Sequence, residues 1–90
     1  MLSAEKIYKN IKKVRAANKE DLFTKAENTL GSMQKSGLLF TEFELEDKHM
    51  DHVPYLGEVL RDKGYRYCLI DRDGKGTSYA FRISVSYLEK

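Results

Sequence analysis

Ninety residues, 41% of them hydrophobic and 33% charged, make one small domain with a modest core and no room for a separate cofactor domain. A net charge of +2 is too small to single out nucleic acid as a partner, and the lone cysteine, Cys68, excludes an internal disulfide framework. No apolar run approaches the roughly 20 residues of a membrane span, and Met1–Lys6 lacks the basic-then-apolar layout of a secretory signal. The expectation is a cytoplasmic protein with no cofactor.

Residues 3–17 read as a first helix. Ser3 is its cap, Ile7, Ile11 and Val14 follow the i, i+4, i+7 spacing, and Tyr8 lies alongside. Lys6, Lys9, Lys12, Lys13 and Arg15 occupy the other sides. Residues 20–35 read as a second helix on the stripe Leu22, Phe23, Ala26, Leu30 and Met33. Gly37 is its stop, because glycine takes the left-handed conformation without a Cβ penalty. The break near residues 18–20 is weak, so a single long bent helix remains open.

Residues 38–45 switch to period two: Leu39, Thr41, Phe43 and Leu45 face one way, Phe40, Glu42 and Glu44 the other. Asp51 and Pro54 mark a helix start, since the first turn tolerates proline's missing N–H. Leu56, Val59 and Leu60 face inward, and Gly64 ends that helix. Residues 65–72 and 77–87 form a hairpin around Asp73-Gly74-Lys75-Gly76. Its second arm alternates Tyr79, Phe81, Ile83, Val85 and Tyr87 with small or polar residues.

The order is α-α-β-α-β-β in the α+β class. Residues 1–37 are a helical arm and 38–90 a β-α-β-β unit. The three-stranded sheet is mainly antiparallel, with the last strand between the other two. The sheet face carrying Cys68, Ile70, Ala80, Ser84 and Ser86 needs a cover. The N-terminal helices are the first expectation for that cover, and a second copy in a homodimer is the alternative.

Charge is uneven. Residues 1–37 carry +4, residues 38–64 carry −4 and residues 65–90 carry +2. The basic helix (Lys6, Lys9, Lys12, Lys13, Arg15) and the acidic stretch (Glu42, Glu44, Glu46, Asp47, on to Asp51) are therefore the candidate partner surfaces. The same lysines, with Lys19, suit phosphates. Tyr65, Tyr67, Tyr79 and Phe81, with Arg66 and Arg82, have the aromatic and basic make-up of a single-strand-binding sheet, although core packing needs those rings. Nucleic acid is thus the alternative partner to a protein.

Catalytic and metal signals are thin. Asp71-Arg72-Asp73-Gly74 opens like a calcium loop but lacks the closing ligands, and turn chemistry explains it. Gly74-Lys75-Gly76-Thr77-Ser78 precedes a strand, whereas a phosphate loop opens a helix. His49 and His52, near Glu46, Asp47 and Asp51, have a spacing that lets two histidines share a metal, but the plainer expectation is an exposed acidic loop. Cys68 is expected as a small core residue with no base beside it. No catalytic constellation stands out, so the expectation is not an enzyme.

The segment from Lys25 to Ser86 resembles a class of small phage-encoded proteins. The shared features are a helix with small residues (Ala26, Gly31, Gly37), a short strand, and a helix closing as Leu60-Arg61-Asp62-Lys63-Gly64-Tyr65. A hairpin then ends Ile83-Ser84-Val85-Ser86. The chain departs from that class in following Ser86 with Tyr87 rather than tryptophan. The resemblance implies an accessory protein in the host cytoplasm that binds a host or phage protein. It implies no catalytic residue.

Overall fold

The computed structural model describes residues 1–89. Helix α1 runs unbroken from Ala4 to Ser36, 33 residues. The two expected N-terminal helices are therefore one, and Asn18–Glu20 passes as ordinary helix. Ser3 starts it, its Oγ accepting the Lys6 N–H at 3.2 Å. Gly37 ends it at φ +70°, with the Gly37 and Leu38 N–H groups both donating to the Met33 carbonyl.

Strand β1 (Phe40–Leu45) leads into a 3-10 helix (Asp47–His52) and then helix α2 (Val53–Asp62), with Pro54 in its first turn. Asp51 does not cap α2. Glu46 instead starts the 3-10 helix: its main-chain carbonyl accepts the His49 N–H at 2.9 Å, and the His49 ring accepts the Glu46 N–H at 3.2 Å. Strands β2 (Arg66–Asp71) and β3 (Tyr79–Ser84) complete the sheet in the order β1-β3-β2. As expected, β3 is central and antiparallel to both neighbours, with Phe81 opposite Phe43 on one side and Leu69 on the other.

The core lies on one face of this sheet. Leu22 and Ala26 of α1, then Val53, Leu56 and Leu60 around α2, close on Phe81 and Ile83 of β3. The Phe81 ring lies 5.6 Å from that of Phe43 and 5.4 Å from that of Tyr67, nearly parallel to the latter at 7°. Both helices choose this face because β3 puts its large apolar side chains there.

The other face is consequently uncovered by helix, contrary to the expectation that the N-terminal helices close it. It is dressed by charge instead. Arg82 pairs with Glu42 at 3.4 Å, and Arg72 bridges Glu42 and Glu44 at 3.8 and 3.5 Å. The Arg82 guanidinium also lies over the Phe40 ring at 4.8 Å. Cys68, expected in the core, is exposed on this face opposite Arg82. Tyr87, expected to continue β3 toward the core, sits in a short 3-10 helix (Ser86–Leu88) and is 45% exposed. The strand stops because the Ser84 hydroxyl takes the Ser86 N–H at 3.1 Å, a local turn that competes with the ladder.

Candidate partner-docking arm

The C-terminal half of α1 belongs to the core and the N-terminal half does not. Leu22, Ala26 and Met33 are buried, whereas every residue from Met1 to Ala17 is exposed. The molecule is accordingly long, 60 × 29 × 20 Å, with a radius of gyration of 15.8 Å. A compact chain of this length has about 12 Å. At 1.5 Å per residue the free arm reaches about 20 Å beyond the core.

A lock at the arm's root fixes its direction. His49 is fully buried, correcting the expected exposed loop. Its Nδ1 accepts the Glu46 N–H at 3.2 Å, which assigns the ring proton to Nε2, and Nε2 donates to Asp21 Oδ2 at 2.6 Å. Lys48 lies 3.5 Å from the same Asp21 oxygen, and Lys25 lies 3.1 Å from Glu46 Oε2. The hydrogen bond from His49, with Lys48 and Lys25 near, holds the Asp21 carboxyl below the usual aspartate range. Lys25, by hydrogen bond and charge, does the same for Glu46. Sequence spacing pairs His49 with His52, but the fold pairs it with Asp21, 28 residues away.

Asp21, Glu46 and His49 bring one ligand-type atom each within 4.8 Å of one another. The two lysines and the Nε2 proton already serve those atoms. The group therefore works as a clamp between α1 and the 3-10 helix. His52 stands apart from it, on the wall of a groove.

That groove, about 430 Å³, runs between the arm and the 3-10 helix. Ile7, Ile11 and Val14 form its apolar floor, 45, 42 and 59% exposed. Lys48, Asp51 and His52 face them. The 4-3 spacing of the three aliphatics is that of a helix-pairing seam, and the surface is unpartnered.

The arm's cations are distributed around this seam. At about 100° per residue, Lys9 and Lys13 fall on the opposite side and Lys6 falls between. Lys12 sits over the Tyr8 ring at 4.6 Å, and Arg15 is at the groove's edge. From Ala4 to Asn18 only Glu5 opposes these five cations.

The acidic candidates lie elsewhere. Glu42 and Glu44 are on the open sheet face with Arg72 and Arg82, and Glu46 is in the lock. Asp47 is exposed at the start of the 3-10 helix. The fold thus gives three of these four carboxylates cationic partners within the chain. The hairpin turn is likewise self-satisfied. Asp71 accepts the Gly74 and Gly76 N–H groups at 3.1 and 3.0 Å, and Asp73 accepts the Lys75 N–H at 2.9 Å and the Thr77 hydroxyl. The Thr77 hydroxyl and the turn amides hold the Asp73 carboxyl well below the usual range.

Among the described residues no helix is long and apolar enough to cross a membrane. No family model, no characterised protein and no solved structure matches this chain.

Proposed function

We propose that the chain is a small non-enzymatic binding protein, an accessory protein of the phage-encoded kind that residues 25–86 resemble. It docks a partner protein through the arm of α1. The observation that carries this reading is the exposed seam of Ile7, Ile11 and Val14 on a helix that the core neither needs nor covers at that end. The partner surface is an amphipathic helix with acidic flanks. Its apolar stripe lies in the groove beside the seam, and its carboxylates answer the net +4 of Ala4–Asn18. Pairing of two arms from two copies is disfavoured by the same charge.

The test is photo-crosslinking of the full chain in an extract of its own cells, with the crosslinker at Ile11 or, as the control, at Lys9. A protein caught from Ile11 and not from Lys9 is then purified. Its binding to the intact chain must be lost in Ile11→Asp and must bear on an acidic amphipathic helix of that protein. Crosslinks only to a second copy, with a dimeric mass by light scattering, would replace this reading with self-association. A mass shift with a DNA pool at low salt, lost at moderate salt, would favour the nucleic-acid alternative on Lys6, Lys9, Lys12 and Lys13.

A further inference from the structure

A second cleft of about 430 Å³ opens where α2 ends and β2 begins. Arg61, Gly64, Tyr65, Arg66, Tyr67 and Tyr87 line it, two guanidiniums among three phenol rings with no carboxylate. Arg72 and Arg82, also cations of the sheet, both have glutamate partners. Among the described residues, Arg61 and Arg66 have none within 4 Å. They rest on aromatic rings instead. Arg61 Nη2 donates to the Tyr67 hydroxyl at 3.3 Å with its guanidinium 5.7 Å from that ring. The Arg66 guanidinium lies 4.4 Å above the Tyr87 ring.

A helix C-terminus ordinarily opposes an anion through its free carbonyls, but here three of the last four are engaged. Val59 and Leu60 accept from the Lys63 N–H, Leu60 also from Tyr65, and Arg61 from Gly64. The Gly64 carbonyl takes the Tyr87 hydroxyl, which ties the last 3-10 helix across the mouth. What remains facing the cleft is donor-rich and aromatic. Guanidinium forks match a phosphate bidentately, and two of them balance a monoester carrying about −1.5 to −2 at neutral pH. The volume lies within the range of about 300–1,000 Å³ usual for small-molecule sites, more than a bare phosphate occupies. The rings of Tyr65, Tyr67 and Tyr87 supply the rest of the lining, aromatic surface suited to a flat ring.

We propose that this cleft binds a nucleotide, its phosphate held by Arg61 and Arg66 and its base against the tyrosine rings. The site is independent of the arm, and its test leaves the arm intact. The full ¹⁵N-labelled chain is titrated by NMR with adenosine 5′-monophosphate, ribose 5-phosphate, adenosine and inorganic phosphate. The expected result is saturable shifts at Arg61, Tyr65–Tyr67 and Tyr87. The mononucleotide should bind at least about ten-fold tighter than any of the other three. Arg61→Gln and Arg66→Gln, both at exposed positions and each checked for an unchanged native spectrum, should each weaken it about ten-fold, in line with loss of a charge-assisted contact. Lys13→Gln, the same charge change on the arm, should leave it unaltered. Absence of saturable shifts in the cleft would overturn the proposal. So would equal binding of ribose 5-phosphate, or binding that survives both arginine substitutions.

Discussion

Gly57 lies in the middle of α2, where alanine is ordinarily favoured over glycine by about 1 kcal/mol. A Cβ at this position would overlap Cζ and Oη of Tyr67, with Cε2 at 2.9 Å. The ring has little room to yield, because it is stacked on Phe81 and held by Arg61 through its hydroxyl. Overpacking of this kind costs about 1–3 kcal/mol, so after the helix gain Gly57→Ala should lower stability by up to about 2 kcal/mol. In a Tyr67→Val background, which keeps a β-favouring residue but ends short of α2, the overlap is gone. The same substitution should then raise stability by about 1 kcal/mol. Urea unfolding of the four proteins, followed by far-UV circular dichroism, closes the cycle with a coupling of about 1–3 kcal/mol. Equal effects of Gly57→Ala in both backgrounds, or a gain of about 1 kcal/mol in the wild-type chain, would show that the ring does not dictate the glycine.

The two halves of α1 should respond differently to truncation. Leu22→Ala is expected to cost about 2–5 kcal/mol, whereas Ile11→Gln should stay within about 0.5 kcal/mol in the free protein, measured by the same urea assay. Gly37→Ala meets no atom within 4 Å, so its cost is only that of the left-handed backbone, about 1–2 kcal/mol, and should appear as a lower unfolding midpoint with an unchanged m-value. Asp21 and Glu46 have folded-state pKa values below their ordinary 3.8 and 4.5. Their contribution is therefore full above those values and is lost as pH falls through the lower folded-state ones. Thermal midpoints of the wild type should drop more steeply below about pH 3.8 than those of Asp21→Asn, and parallel curves would refute the role of the lock.

The sheet was legible because its signals are local. Period-two alternation in residues 38–45 and 77–87, the glycine-rich turn, and Pro54 and Gly64 around one amphipathic helix together leave few topologies for a β-α-β-β unit. What the pattern could not supply was how the faces are used. Alternation shows that Phe81 and Ala80 oppose each other across the sheet, and it is silent on whether one helix covers each face or both cover one. The area carried by Phe81, Ile83, Tyr67 and Phe43 decided that. It left Cys68 outside and Glu42, Arg72 and Arg82 to dress the second face. The lock escaped the sequence for a different reason. An Asp21–His49 contact spans 28 residues, and no spacing rule connects them.

The helical arm shows how a correct stripe yields an incomplete reading. Ile7, Ile11 and Val14 share one helix face, and so do Leu22, Ala26 and Met33. At about 100° per residue, however, the centres of the two stripes lie about 70° apart around a common axis. A break near Asn18 would let each stripe turn to the same core. The chain does the reverse. It keeps the backbone hydrogen bonds of an unbroken helix, caps its ends with Ser3 and Gly37, and lets the first stripe point past the core, beside Asp51 and His52. Breaking the helix would forfeit several backbone hydrogen bonds and expose the lost donors, while burying only three aliphatic side chains. The phase shift between the two stripes is therefore what leaves the first one exposed beyond the core.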